Sequence, residues 1–205
     1  MTAILKVDTI QDTSGNNIIN ESSNTITIGA SGDTTNIIGT LQNNGSAVAS
    51  TNGITMADQW RITADHSGVA VITANWERVD TDGFGTIGSA MTESSGIFTF
   101  PSTGIYHINF IASAYISGGA TGFMRVGIEP TVNNSSYGEA TNGYMSMYTD
   151  GAYSSTSTLF IFDVTDTSTH KVRFALNQNH SSTPKLIGNT GDSYTYVNFI
   201  RLGDT

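Results

Sequence analysis

The chain has 205 residues, of which 38% are hydrophobic and 22 are glycine, so it suits one all-β domain with an appendage better than two large domains or a helical bundle. Acidic residues outnumber Lys and Arg 17 to 8, and the formal net charge of −9 at pH 7 disfavours nucleic acid and anionic membranes as partners. Cysteine is absent, so stability must come from packing and subunit contacts instead of disulfides.

The first 50 residues predict a segment that has no core of its own. Residues 4–50 contain no aromatic residue, and short Ile- and Leu-containing runs such as 25–33 and 35–41 alternate with Gly-containing turns. This spacing is typical of a β-solenoid or interwoven β-prism, whose isoleucines are buried only when several chains wind together. We therefore expect residues 1–50 to form a short intersubunit β-stalk or attachment segment. The isoleucines expected at its trimer interface are Ile26, Ile28, Ile37 and Ile38.

Two stretches of this segment carry a family resemblance. Residues 5–19 read LKVDTIQDTSGNNII and residues 25–33 read TITIGASGD. Both resemble phrases found in tail-fibre and other virion proteins of bacteriophages, which implies a virion component. The alternative is a Gly/Asn/Thr-rich linker of the kind that any surface protein carries.

The amino terminus lacks the features of a targeting signal. No apolar run follows a basic segment there, and no stretch of the chain reaches about 18 consecutive apolar residues. We therefore expect a protein without a signal peptide, made in the host cytoplasm and located in the virion.

Residues 42–53 are small and turn-forming without periodicity, which predicts a hinge before a head over residues 51–205. In the head, alternating apolar residues predict roughly nine strands separated by turns, as in a two-sheet sandwich with almost no helix. The predicted strands are 60–64, 70–76, 87–91, 98–100, 106–116, 123–128, 144–148, 158–164, 171–176 and 194–202.

Residues 95–110, SGIFTFPSTGIYHINF, predict a sandwich corner with strands on both sides of a turn. The side chains of matching parity, expected to line the core, are Phe98, Phe100, Tyr106, Ile108 and Phe110. The arrangement G-x-F-x-x-P-x-x-G-x-Y-x-x-x-F also resembles the central signature of C1q/TNF-like jelly-roll domains. That resemblance covers about residues 60–202, and it is looser over 159–174 and 194–202. It implies a jelly-roll head that assembles as a homotrimer and serves as a binding or building module.

Aromatic residues of the head suggest contact surfaces. Tyrosine on a Gly/Ser/Asn background makes adaptable polar contacts, so we expect receptor contacts in the loops around Asn133 to Tyr137 and around Tyr153. The candidate contact residues are Asn133, Asn134, Tyr137 and Tyr153. Between these loops, Tyr144 and Tyr148 alternate with two methionines, which favours a strand with one buried face. We expect Tyr115 and Phe199 to face outward and to lie at the trimer interface.

The sequence contains no catalytic constellation. There is no G-x-S-x-G motif, and no pair of histidines has a metal-binding spacing such as H-x-x-x-H. His107 has the opposite parity to Tyr106, so we expect it to face away from the core, toward solvent or another subunit. These features predict a protein that is not an enzyme.

Residues 80–83, DTDG, offer two carboxylates before a glycine, as at the start of a calcium loop. The loop lacks a third ligand and the closing Glu, and Asx-turn hydrogen bonding explains the same residues. Asp80 and Asp82 are therefore candidate metal ligands, and calcium is the only candidate cofactor.

Together these features predict a non-enzymatic bacteriophage virion protein, a short fibre-like homotrimer whose head contacts the host surface. Its predicted partners are itself, other virion proteins and a host surface glycan or protein. The alternative is a capsid or baseplate decoration or cement protein that binds only other virion proteins. A polysaccharide depolymerase is disfavoured, because its paired carboxylates usually stand on a long rigid β-helix that this stalk is too short to supply.

Overall fold

The computed structural model describes residues 38–39, 41–43, 46–47, 53–179 and 184–205. The chain divides into two units, Met1–Ser50 and Thr51–Thr205. In the first unit, strand β1 (Gln42–Asn43) pairs antiparallel with β2 (Ser46–Ala47), within the stretch for which the sequence predicts only a hinge. Ile26, Ile28 and Ile37 lie outside the described residues, so the stalk stays a prediction.

Within its described residues, the second unit is built from strands without any helix. The strands are β3 (Met56–Ile62), β4 (His66–Ser67), β5 (Ala70–Val71), β6 (Trp76–Arg78), β7 (Thr92–Ser94), β8 (Ile97–Thr99), β9 (Gly104–Ile116), β10 (Thr121–Thr131), β11 (Thr141–Met147), β12 (Tyr153–Val164), β13 (Lys171–Asn179), β14 (Pro184–Leu186) and β15 (Tyr196–Gly203). In the part of the chain that is described, no helix is long and apolar enough to span a membrane.

The strands form two antiparallel sheets. The smaller sheet has the order β11-β10-β13-β8-β7, and β5 pairs with β13. The larger sheet runs β4-β14-β9-β15-β3-β6. Strand β12 pairs along the other edge of β9 and is therefore an edge strand of that sheet. This two-sheet sandwich confirms the all-β architecture that the sequence predicts.

The core lies between the sheets and is rich in aromatic rings. Strand β9 alternates strictly between buried and half-buried residues, and its inward stripe includes Tyr106, Ile108 and Phe110. Phe98 makes edge-on contacts with Trp60, centroids 5.5 Å apart, and with Phe174, also 5.5 Å apart. Such rings bury large apolar areas in preferred geometries, so this cluster is a main source of stability in a chain without cysteine.

The Pro101–Gly104 segment connects the two sheets. Strand β8 belongs to the smaller sheet and β9 to the larger one, so the predicted corner is confirmed, but its two strands are not hairpin partners. The Tyr106 hydroxyl donates to the Ser102 carbonyl at 2.9 Å and ties the corner together. Gly104 has a φ of +145°, and a Cβ there would lie 2.6 Å from the Gly203 carbonyl oxygen, so the corner requires glycine.

Two predicted strands are less regular than their sequences suggest. The predicted strand 70–76 is broken into β5 and β6, with Asn75 at a φ of 65° between them. Instead of a strand over 87–91, the chain makes an isolated bridge between Ile87 and Ala57. A residue with a left-handed backbone conformation and an isolated β-bridge depend on the tertiary structure, and the periodicity of apolar residues does not predict them.

Candidate functional site

The outward side of β9 carries a face with few charges. Cross-strand register puts Ile161, His107, Ile200 and Ala57 in one row. The next row contains Leu159, Asn109, Asn198 and Gln59. Ile111 lies beside them on β9. We call these nine residues the β9 face. Among them there is no Asp, Glu, Lys or Arg. Asp163 lies in a flanking row, and Arg61 lies in the row of Ile111, two strands away from it.

Two aliphatic side chains of the β9 face are open to solvent. On edge strand β12, Leu159 is 55% exposed and Ile161 is 47% exposed. Toward the other edge of the sheet, a groove of about 280 Å³ lies against Ala57, Phe84 and Ile200. Adjoining exposed apolar side chains and a neighbouring groove are features of protein interaction surfaces.

The polar groups of this face are amides and one imidazole. The Gln59 amide donates to Asn198 Oδ1 at 2.5 Å. His107 faces away from the core as predicted, and its Nδ1 is buried without a hydrogen-bond partner among the described residues. An unsatisfied buried polar atom costs about 1–3 kcal/mol. Depletion of charge and enrichment in apolar groups are typical of interface cores.

The candidate calcium loop forms an ion pair at the margin of this sheet. The buried Arg61 guanidinium donates to Asp80 Oδ1 at 2.7 Å and to Glu77 Oε2 at 3.1 Å. Asp82 is exposed with a φ of 57°. The described residues contain no group of three His, Cys, Asp or Glu side chains that could hold a metal ion. Because the Arg61 guanidinium is already paired with the Asp80 carboxylate, the geometry fits an ion pair and does not support calcium binding at this loop.

Asn133 and Asn134, predicted as receptor contacts, hold their own turn. The Asn133 side-chain oxygen accepts from the backbone N–H groups of Ser135 at 3.1 Å and Ser136 at 2.8 Å. Asn134 has a φ of 54°, and its N–H donates to the Thr169 carbonyl at 2.9 Å. The Asn133 amide is therefore engaged in an Asx-type turn, and the receptor role of both residues stays a prediction.

Tyr137 packs on the smaller sheet instead of extending from a loop. Its ring lies 4.3 Å from the Arg173 guanidinium, which also donates to Glu129 Oε2 at 2.7 Å. Burial raises the pKa of the Tyr137 hydroxyl, and the positive charge of Arg173 opposes this shift. The hydroxyl is buried without a hydrogen-bond partner among the described residues. This geometry fits a cation–π packing role.

Tyr153 and Tyr115 come together, although the sequence assigns them different roles. They are register partners at the end of β9 farthest from Gly104, and their rings stack at 5.9 Å and 28°. The Tyr115 hydroxyl donates to Asp65 Oδ2 at 3.3 Å. Beside this stack lies a pocket of about 300 Å³. We call it the tyrosine pocket, and it is lined by Ser113, Ala114, Tyr153, Ser154, Ser155, Ile187 and Tyr194.

The predicted outward orientation of Phe199 is wrong. Phe199 is 0% exposed, and its ring packs against Phe98 at 5.3 Å in the core. Its neighbours Asn198 and Ile200 are the residues that reach the β9 face. Residues 194–202 carry apolar side chains at both parities, so the inward side is set by pairing with β3 and β9, which the strand alone does not reveal. Ile38, the described stalk candidate, is exposed.

Leu159, Ile161 and Ile111 were not predicted from the sequence to be surface residues. On β9 the alternation of the sequence did indicate an outward position for Ile111, because Ile111 has the opposite parity to the residues of the core stripe. On β12 it was ambiguous, because Leu159, Phe160, Ile161 and Phe162 are apolar at both parities, and only the pairing with β9 shows which side is buried.

Neither a protein-family model nor a curated protein matches this chain. Among solved structures, murine APRIL at pH 5.0 is similar with a TM-score of 0.53 and 15% identity, covering 72% of this chain and 98% of that one. Eiger TNF from S. frugiperda gives a TM-score of 0.54 at 11% identity, covering 75% of this chain and 96% of that one. The globular domain of zebrafish complement 1qA matches more loosely, with a TM-score of 0.45 and 13% identity over 73% of this chain and 99% of that one.

The similarities to murine APRIL at pH 5.0 and to Eiger TNF define the fold of the head. The second unit is a C1q/TNF-like jelly-roll sandwich, as the motif at 95–110 predicts. At such low identities the likeness shows the fold alone, and function has to be argued from the surface.

Proposed function

We propose that this chain is a non-enzymatic bacteriophage virion protein that forms a homotrimer through the β9 face and presents its head to the host surface. The main support for self-association is the exposed pair Leu159 and Ile161, which lies on the same sheet face as a groove. Burying such apolar surface in a partner is favourable by about 25 cal/mol per Å².

The arrangement of this face favours a closed ring. Leu159 and Ile161 stand on the edge strand β12, whereas the groove lies over β3 and β15. A contact that inserts the edge of one copy into the groove of the next joins two different patches, and such heterologous contacts close into a ring when the rotation permits. The resemblance to C1q/TNF-like heads supports three copies.

The phage assignment is supported by the sequence of the first unit. The stretches 5–19 and 25–33 resemble virion proteins, and the acidic chain without cysteine suits a protein assembled in a reducing cytoplasm. In this proposal the first unit docks on other virion proteins, and the protein is located in the virion.

The first test is the mass of the full chain in solution, measured by light scattering after size exclusion. We expect three times the chain mass of 21.7 kDa. Leu159→Asp combined with Ile161→Asp places two charges in the interface and should give a monomer. Val132→Asp is the matched control, because Val132 is 61% exposed and lies outside the β9 face. A monomeric parent protein, or a double variant that stays trimeric, would contradict the proposal.

A binding assay separates host attachment from the decoration alternative. Labelled protein should adsorb to susceptible cells and not to resistant mutants of the same strain. If it binds empty capsids or baseplates but no host cell, the decoration or cement role replaces host contact. Release of reducing sugar from host polysaccharide would contradict the non-enzymatic assignment.

A further inference from the structure

The tyrosine pocket lies at one end of the larger sheet, opposite the end at which β3 begins and β15 ends. At one end, Met56 of β3 pairs with Arg201 of β15, and Arg201 pairs with Tyr106 of β9. At the other end, Tyr153 pairs with Tyr115.

The pocket combines aromatic faces with free hydroxyl groups. Tyr153 is 74% exposed and Tyr194 is 43% exposed. The hydroxyls of these two tyrosines, and that of Ser155, make no hydrogen bond within the described residues. No charged side chain is among the residues that line the pocket. A ligand therefore finds apolar ring faces beside groups that both donate and accept hydrogen bonds.

The walls of the pocket are held in place before any ligand binds. Buried Thr195 holds Tyr194 next to Ser113, because its hydroxyl donates to the Ser113 carbonyl at 3.1 Å and accepts from the Ser113 N–H at 3.2 Å. The Ile187 N–H also donates to the Ser113 carbonyl, at 2.8 Å. Tyr115 supports the Tyr153 ring by stacking. Such preorganisation lowers the entropic cost of binding.

We propose that the tyrosine pocket binds the pyranose ring of an uncharged carbohydrate. The negative face of a tyrosine ring attracts the polarised C–H groups of a sugar, while the free tyrosine and serine hydroxyls exchange hydrogen bonds with sugar hydroxyls. A pocket of about 300 Å³ accommodates one sugar ring, and its uncharged lining favours a neutral one. This inference rests on the proposed host contact and names the chemical class of the ligand on the host surface.

The test uses the full chain and four probes, the methyl glycosides of glucose, galactose, mannose and N-acetylglucosamine. Saturation-transfer difference NMR should show transfer to the ring C–H protons of at least one of them, with a Kd in the millimolar range. Tyr194→Ala and Tyr153→Ala should each weaken binding about tenfold, whereas Tyr194→Phe should retain most of it because the ring face remains.

Tyr148→Ala is the matched control, because Tyr148 is 79% exposed and lies outside the pocket. It should bind the sugar like the parent protein. Absence of transfer to all four glycosides, or an equal loss in the Tyr148 variant, would overturn the inference. Thermal unfolding of each variant confirms that the head is folded.

The same samples distinguish this inference from the proposed function. A trimer that adsorbs to host cells but binds none of the four sugars overturns the carbohydrate pocket and leaves the proposed function intact. A protein that binds a glycoside through Tyr194 but adsorbs to no host cell supports the pocket and contradicts the proposed host contact.

Discussion

Asp58 shows how single polar groups organise the head. This buried carboxylate on β3 accepts from the Trp60 indole at 2.9 Å, from Arg78 Nε at 3.1 Å and from the Met91 N–H at 3.0 Å. It therefore joins β3 to β6 and to the segment that precedes β7. A buried charge with a full set of donors is tolerated, but its donors depend on it.

Removing this carboxylate should strongly destabilise the head. We expect Asp58→Ala to lower the free energy of unfolding by about 3–5 kcal/mol, because Arg78, Trp60 and Met91 lose their common acceptor. Denaturant unfolding measures the change. Asp192→Ala, at an exposed position, should stay within about 0.5 kcal/mol of the parent protein, and similar losses in both variants would contradict the role of Asp58.

His66 makes stability depend on pH. Burial lowers the pKa of this imidazole from its ordinary 6.5, and its Nε2 has no hydrogen-bond partner among the described residues. The unfolded chain therefore takes up a proton more readily than the folded one, so stability falls as pH drops below 6.5. We expect the difference in Tm between about pH 7.5 and about pH 5.5 to be smaller in His66→Gln. An unchanged difference in that variant would contradict this origin.

At the scale of elements, the corner before β9 is a tightly constrained connection. Gly104→Ala adds a Cβ 2.6 Å from the Gly203 carbonyl oxygen at a residue whose φ is +145°. We expect a loss of at least about 1–3 kcal/mol in the free energy of unfolding, measured in denaturant. Gly203→Ala is the control, because a Cβ there meets nothing within 4 Å and should cost less. Equal losses would show that the corner is not specifically strained.

The elements that sequence predicts best are the long ones with a clear period. On β9 every inward residue follows the alternation that starts at Tyr106, because a long central strand repeats its environment many times. The pairing of β4 with β14 was missed, since segments of two or three residues carry no period.

The tyrosine pocket was only partly predicted from the sequence. Tyr153 and Tyr115 were named separately, but the long-range pairing of β12 with β9 brings them together.

At the scale of the whole molecule, charge is unevenly distributed. The chain carries a formal net charge of −9, yet the β9 face contains no Asp, Glu, Lys or Arg. In the proposed trimer, local apolar contact at the β9 face has to overcome the long-range repulsion between copies, which salt screens. We accordingly expect the trimer to strengthen, not weaken, as ionic strength rises.

Removal of divalent cations should leave the assembly unchanged. Asp80 is already paired with Arg61, so we expect the same mass in solution and the same Tm with and without a chelator. Light scattering and thermal unfolding of the same preparation measure both. Dissociation on chelation that added calcium reverses would restore a calcium role at Asp80 and Asp82.

The pairing of β3 with β15 puts the first and last strands of the head side by side, so β3 begins and β15 ends at the same end of the sheet. The loops at residues 117–120 and 149–152 flank the tyrosine pocket at the other end. The pairing of β3 with β15 and the loops beside the pocket are therefore separated by the length of the larger sheet. We expect substitutions in these loops to reshape the pocket without rerouting any strand through the core.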